Sequence, residues 1–157
     1  MKNILIVCAD KNLRKDVSKV LARELGFLYT DVDEILDYEL INSNLNSLTE
    51  AGALMHELEQ KSIKRALEFD RCVLTMSCNL FVSNANFRVF NMPKIFIALP
   101  KSYFVAKFKA DNNRLEQELL LFDKINKLIS INCEIVMDKG TRAIEDICGE
   151  ILAKLTQ

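Results

Sequence analysis

The segment "LIVCADKNLRKDV" (residues 5–17) has the position of a phosphate-binding loop, between an apolar strand pattern and a helical pattern. A loop that cradles phosphate needs glycines, so that successive backbone N–H groups can turn toward the anion. It also needs a lysine for the outer phosphates and a hydroxyl group for magnesium. This segment contains no glycine. It is therefore a damaged phosphate site, a different anion site or an ordinary strand-to-helix turn.

Four positions of the phosphate-loop motif are substituted. At the spacing of the motif, Cys8 and Leu13 replace the two glycines, Arg14 replaces the lysine, and Lys15 replaces the serine or threonine. The branched side chain of Leu13 obstructs the close backbone approach that glycine permits. An arginine fork also differs from a lysine in reach and geometry. The sequence therefore argues against a standard site for a nucleoside triphosphate.

Two interpretations of this segment remain. In the first, Asp10 is the N-cap of a helix whose solvated face carries Lys11, Arg14 and Lys15. In the second, these three cations and the free N–H groups of the helix N-terminus form an anion-binding patch. The first interpretation is favoured, because basic residues on exposed helices are common and usually have no ligand.

A second group of chemically capable residues lies in "YTDVDEIL", where Asp31 and Asp33 are two residues apart. One carboxylate could hold a metal-bound water while the other accepts a proton or a hydrogen bond from a substrate hydroxyl. Alternatively, Asp31 or Asp33 caps a helix that begins near Glu34. The sequence leaves both interpretations open.

Hydrophobic patterning predicts the elements that position these residues. Short apolar segments predict five strands, at Asn3–Cys8, Phe27–Tyr29, Arg71–Met76, Lys94–Leu99 and Cys133–Met137. Their continuous apolar character is typical of parallel strands that are buried on both faces, with helices between them. We therefore expect one α/β domain with a five-stranded parallel sheet. Its ligands should bind beyond the carboxyl ends of the strands, near residues 8–16, 30–34, 77–83 and 111–114.

The length, charge and cysteine content of the chain limit the classes of function that it can have. The 157 residues suit one domain, and 21 basic against 22 acidic residues give no overall field that would favour nucleic acid or an anionic membrane. The first apolar run, Ile4–Ala9, is too short to span a membrane. Five cysteines without a CxxC spacing indicate a cytoplasmic protein with reduced thiols. Cys8 and Cys78 could face each other, but buried thiols are favoured over a redox pair.

The arrangement of these segments resembles shikimate kinase, a small P-loop kinase related in fold to the nucleoside monophosphate kinases. The resemblance is carried by "NILIV", "VLARELGFLYTDVDEIL", "CVLTMSCNL" and "KIFIALP", and "FKADNNR" looks like the start of the mobile lid. It implies a three-layer α/β/α domain over residues 1–157, with a shortened lid-equivalent segment at residues 110–125. An active member of the family would use ATP and Mg²⁺.

The resemblance also implies roles for individual residues. Asp33 matches the carboxylate that contacts the shikimate hydroxyl, and Asp31 matches the one associated with magnesium. His56 stands in place of an arginine that grips the shikimate carboxylate, and Ile125 in place of a second one. Arg114 matches the lid arginine that steadies the transferred phosphoryl group.

The remaining matched positions lie in the substrate pocket. Ser77, Cys78 and Asn79 replace three glycines that bring backbone N–H groups against the substrate, and Glu59 matches a glutamate of the family.

Together these substitutions predict a catalytically inactive or strongly impaired protein. One electrostatic contact is typically worth roughly 2.7–4 kcal/mol in the transition state. Losing several would remove about 10 kcal/mol, or about seven decades in rate. We expect such a pseudoenzyme to bind another small molecule or a protein partner, with a homodimer as one form.

Two alternatives stay open. One is a small-molecule kinase whose phosphate contacts are Lys11, Arg14, Lys15 and Arg114, with Mg²⁺ and ATP as cofactors. The other is a regulatory subunit of an active kinase or of another enzyme of aromatic biosynthesis.

Overall fold

The structure of the protein is a computed structural model that describes residues 2–43, 48–107 and 112–157. Five strands alternate with helices along the chain. The strands are β1 (Asn3–Val7), β2 (Leu28–Asp31), β3 (Cys72–Met76), β4 (Lys94–Ala98) and β5 (Ile135–Asp138). The helices are α1 (Lys11–Leu25), α2 (Val32–Asn42), α3 (Leu48–Ala66), α4 (Cys78–Val82), α5 (Lys101–Lys107), α6 (Asn112–Ile131) and α7 (Ile144–Leu155), with a 3₁₀ segment at Ser83–Val89.

The strands form one parallel sheet in the order β2-β3-β1-β4-β5. The register places Asn3 beside Cys72 and Val7 beside Met76, so β1 and β3 end together. Every residue of these two central strands is buried, as expected of strands covered on both faces. The predicted five-stranded parallel sheet is confirmed.

Helices cover both faces of the sheet and give the domain two apolar cores. On one side, α1 and α7 pack on the sheet through Leu21 and Ile147. On the other side, Val32, Ile63 and Ile129 bring α2, α3 and α6 into the second core. This arrangement leaves the carboxyl ends of β1, β2 and β3 as the place where side chains from distant segments meet.

The structure shifts several predicted boundaries. β2 extends to Asp31, two residues beyond the predicted strand, and α2 begins at Val32 rather than near Glu34. β5 begins at Ile135, two residues later than predicted. Of the lid-equivalent segment, residues 112–125 belong to the 20-residue helix α6, and residues 110–111 lie outside the described residues. No helix in the described parts of the chain is long and apolar enough to cross a membrane.

Helix α1 ends at Gly26 because this residue adopts a left-handed backbone conformation, with φ of 67°. No heavy atom lies within 4 Å of the position that a Cβ would take. We therefore expect Gly26→Ala to lower the free energy of unfolding by about 1 kcal/mol through backbone strain alone. Urea unfolding measures this change.

Gly149→Ala is the matched control for this prediction. Gly149 lies inside α7, has no positive φ and also has open space around its Cβ position. Alanine should raise the stability there by about 0.5–1 kcal/mol. Equal effects of the two substitutions would contradict the assignment of Gly26 as a left-handed cap.

Candidate functional site

The start of α1 is fixed by Asp10, whose carboxylate accepts a hydrogen bond of 2.9 Å from the backbone N–H of Leu13. The predicted N-cap is confirmed. Only part of the predicted solvated face exists, however. Lys11 is exposed and the half-buried Lys15 forms an ion pair with Glu34, whereas the Arg14 side chain is only 5% exposed.

The expectation of a solvated Arg14 is therefore wrong, and the reason is a charge in the first turn of α2. Its Nη2 atom lies 3.8 Å from Oδ2 of Asp33, which follows β2. Because β1 and β2 are separated only by β3 and all three strands are parallel, the start of α1 and the start of α2 lie at the same end of the sheet. Arg14 is thus directed into the domain.

Each carboxylate oxygen of Asp33 accepts a hydrogen bond from Ser77. The backbone N–H of Ser77 donates to Oδ2 at 2.7 Å, and the Ser77 hydroxyl donates to Oδ1 at 2.7 Å. The same hydroxyl oxygen accepts from the N–H of Leu80 at 3.2 Å and so caps α4. The structure therefore joins Arg14, Asp33 and Ser77, three of the predicted site residues, in one cluster that we call the Asp33 cluster.

The other two residues that replace the glycines complete the start of α4. Cys78 is buried and Asn79 is exposed. The N–H of Ser77 is directed to the protein's own carboxylate. This differs from the arrangement implied by the resemblance, in which successive N–H groups at these positions face a substrate.

Asp31 is the N-cap of α2, which confirms the capping interpretation of this aspartate. Its Oδ1 accepts hydrogen bonds from the N–H groups of Asp33 at 2.9 Å and Glu34 at 3.4 Å. Its Oδ2 is buried and has no hydrogen-bond partner among the residues that the structure describes. Burial raises the pKa of the Asp31 carboxyl, while the charges of Arg14 and Asp33 act in opposite directions on it.

The residues around Asp31 do not fit the magnesium ion that the resemblance implies. Magnesium prefers carboxylate, hydroxyl and water oxygens. Lys15 brings an ammonium group to the position of the hydroxyl, and that group is bonded to Glu34. The Arg14 guanidinium already supplies positive charge beside both aspartates. Within the described residues, no group of three or more His, Cys, Asp and Glu side chains is placed to hold a metal ion.

Glu59 organises a separate polar cluster beside α4. This carboxylate is 4% exposed and accepts hydrogen bonds from the side chains of Ser83 at 2.9 Å, Asn86 at 3.0 Å and Asn84 at 3.3 Å. Asn84 and Ala85 have positive φ angles of 51° and 54°, so the carboxylate holds a strained turn in place. We call these residues the Glu59 cluster.

Among the described residues, no hydrogen bond or ion pair joins His56 to the Asp33 cluster. His56 is exposed on α3. Arg114 lies in the first turn of α6, and its side chain is outside the described part of the chain.

A cavity of about 350 Å³ lies beside the start of α1 and was not predicted. Its lining includes Asp10, Leu13, Pro100, Tyr103 and Lys139, so it opens where β1, β4 and β5 end. Lys139 donates a hydrogen bond of 2.6 Å to the carbonyl oxygen of Arg142. The segments after β4 and β5 carry no recognisable motif, so the part of this cavity that they line could not be predicted from the sequence.

The cysteines show no sign of activated chemistry. Cys8 and Cys78 are both buried, and all five cysteines are free. Burial raises the pKa of Cys8 to about 11 and that of Cys78 still further, so neither is a thiolate near neutral pH. This favours the interpretation of both residues as small apolar side chains.

No protein-family model matches the sequence, and no curated protein matches it significantly. Solved structures do match along nearly the full chain. Shikimate kinase from Aquifex aeolicus has a TM-score of 0.75 at 20% identity, covering 98% of this chain and 96% of its own. Shikimate kinase from Acinetobacter baumannii, in complex with shikimate, has a TM-score of 0.76 at 17% identity, with coverages of 99% and 93%.

Dephospho-CoA kinase from Campylobacter jejuni has a TM-score of 0.67 at 13% identity, covering 98% of this chain and 96% of its own. Likeness at these identities concerns the fold, because a fold hosts many activities. The order of the strands, the helices on both faces and these matches together show that the chain has the P-loop kinase fold of the shikimate kinases.

Proposed function

We propose that this protein is a catalytically inactive member of the shikimate-kinase-like fold that binds a small ligand or a protein partner. The observation that carries the proposal is the Asp33 cluster. A carboxylate that the protein itself already binds has less capacity left to accept a proton or a hydrogen bond from a substrate hydroxyl. Ser77 bonds both oxygens of Asp33, and Arg14 lies beside them.

The cations of the rewritten loop support the same conclusion. Phosphoryl transfer depends on positive charge that faces the transferred group. Arg14 is directed toward Asp33, and Lys15 is bonded to Glu34, so two of the three cations have partners within the protein. Lys11 remains exposed, and one exposed lysine cannot replace a lysine, a magnesium ion and a cradle of N–H groups.

The small ligand would enter the cavity beside Leu13 and Tyr103, which is open and lies at the carboxyl ends of the strands. We place the protein in the cytoplasm, where five free cysteines are stable. The balanced charge argues against nucleic acid as the partner.

The proposal is tested by an assay of phosphoryl transfer from labelled ATP to shikimate and related hydroxyl-bearing metabolites. An active shikimate kinase serves as the positive control. We expect no transfer above background, corresponding to a loss of about seven decades in rate. The alternative, a small-molecule kinase with unusual phosphate contacts, predicts transfer that depends on this chain.

The variant Asp33→Asn tests whether any transfer observed in this assay depends on the Asp33 carboxylate. If the wild-type protein transfers phosphate and Asp33→Asn abolishes that transfer, the carboxylate is catalytic and the proposal is wrong. Transfer that is equal in the two proteins would show that it does not depend on the Asp33 carboxylate.

A further inference from the structure

A cavity of about 750 Å³ lies beside β2, the strand at one edge of the sheet. Three consecutive residues of this strand, Tyr29, Thr30 and Asp31, line it together with residues of α2, the end of α3 and the turn after α3. None of them lines the cavity beside Leu13 and Tyr103. The volume is that of a site for a small molecule, and we call it the β2 edge cavity.

The backbone of Tyr29 offers one hydrogen-bond donor and one acceptor at this edge. The N–H of Leu28 donates to the carbonyl oxygen of Arg71, so the backbone groups of Leu28 are directed at β3. These groups alternate in direction along a strand, and those of Tyr29 are therefore directed away from β3. No strand lies on that side of β2, and neither group has a hydrogen-bond partner within the described part of the chain.

Two side-chain groups of the lining repeat this pattern. The Tyr29 hydroxyl and Oδ2 of Asp31 are buried, and neither is hydrogen-bonded to any residue that the structure describes. A phenol can donate and a carboxylate oxygen accepts, so this pair again offers one donor and one acceptor. Buried polar groups are normally hydrogen-bonded, and two unpaired ones in the lining of a cavity indicate that it takes a polar occupant.

The charges around the β2 edge cavity leave no excess for a charged ligand. Lys15 is paired with Glu34, and Glu39 with Arg65. The arginine of the Asp33 cluster acts on the Asp31 carboxyl. The remaining charged side chain of the lining, a glutamate in the turn after α3, is exposed, and water weakens its field. A cation would meet basic groups beside the cavity and an anion would meet acidic ones, so a neutral ligand is favoured.

Two aromatic rings complete the lining. Tyr38 is 59% exposed and Phe69 is 42% exposed, so both have ring surface free for contact. Aromatic rings pack favourably on one another in stacked or edge-to-face arrangements. The apolar part of a ligand in this cavity is therefore most favourably a planar ring.

We propose that the β2 edge cavity binds a small, neutral, planar ring compound with an amide-type group. The amide donor and acceptor pair with the backbone groups of Tyr29, and the ring packs against Tyr38 and Phe69. The proposal goes beyond the proposed function, because it concerns a second cavity and holds whether or not the protein transfers phosphate.

Protein-observed NMR on the isotope-labelled full chain tests the proposal with three probes of one shape. Benzamide is neutral and has both donor and acceptor, benzoate is an anion with acceptors only, and benzamidine is a cation with donors only. We expect benzamide to bind at millimolar concentration and to shift the amide signal of Tyr29. The two charged probes should bind at least about tenfold more weakly.

Two alanine variants locate the bound probe. Tyr38→Ala should weaken the binding of benzamide at least about threefold, because it removes a ring contact from an exposed helix position. Tyr103→Ala is the matched control, since it removes an aromatic ring from the cavity beside α1, and it should leave the binding unchanged. Equal binding of the three probes would overturn the proposal. So would a Tyr29 amide signal that stays in place at millimolar benzamide, or binding that Tyr103→Ala weakens and Tyr38→Ala does not.

Discussion

Asp33→Ala should lower the free energy of unfolding by about 3 kcal/mol, because it removes the charge that compensates a buried arginine. The substitution also leaves the N–H and hydroxyl of Ser77 without their acceptor at the start of α4. Each lost hydrogen bond to a charged group typically costs about 1.5–3 kcal/mol, and the effects overlap. Equilibrium unfolding in urea measures the change.

Asp37→Ala is the control for this substitution. Asp37 lies one turn further along α2, is exposed, and has no ion pair within the described residues, so its removal should change the stability by less than about 0.5 kcal/mol. A site carboxylate that is kept for a substrate should be removable at little cost to the fold. Equal, small effects of the two substitutions would therefore contradict a structural role for Asp33.

Arg14→Met tests whether the cost of Asp33→Ala comes from leaving the Arg14 charge buried without its partner. Replacing a buried cation by an apolar side chain of similar volume is often neutral or stabilising when its partner charge is removed as well. We therefore expect the double variant with Asp33→Ala to be more stable than Asp33→Ala alone. Additive losses would show that Arg14 and Asp33 act independently.

Glu59→Ala should destabilise the protein by about 3 kcal/mol or more. The substitution removes one carboxylate that accepts from Ser83, Asn84 and Asn86, and it leaves the buried Asn86 amide with one donor bond, to the carbonyl oxygen of Leu80. It also frees the turn at Asn84 and Ala85, whose positive φ angles are held by these bonds. Urea unfolding gives the stability, and amide hydrogen exchange should show faster opening at residues 83–86.

Glu57→Ala tests whether the effect is specific to the buried carboxylate. Glu57 lies two residues earlier on α3 and is exposed. Its removal should change the stability by less than about 0.5 kcal/mol. Faster exchange at residues 83–86 in this control would mean that α3 as a whole, and not the Glu59 carboxylate, orders the turn.

The sheet was predictable because its signal is local and repeated. Residues 3–7 and 72–76 are each apolar at four of five positions and buried at all five, which is typical of strands covered on both faces. Asp10 and Gly26 marked the ends of α1 for similarly local reasons, as a side-chain cap and a left-handed residue. The resemblance to shikimate kinase then gave the arrangement of these elements, which the structural matches confirm.

The candidate site was only partly predictable, because its contacts join distant segments. Arg14 has the helical position of a surface cation, and its burial depends on Asp33 and Ser77, which follow other strands. The role of Ser77 as a donor to Asp33 has no sequence signal, since a serine after a strand ordinarily reads as a helix cap. The positive φ of Ala85 could not be predicted from the sequence either, because alanine rarely adopts a positive φ.

We propose that the segment at residues 8–15 does not bind a nucleoside triphosphate, since two of its three cations have partners within the protein and the segment contains no glycine. The most direct test is a calorimetric titration of the full chain with Mg-ATP up to millimolar concentration. We expect no saturable heat over the whole range. Clear one-to-one binding, weakened by Lys11→Ala and Arg14→Met, would contradict the proposal.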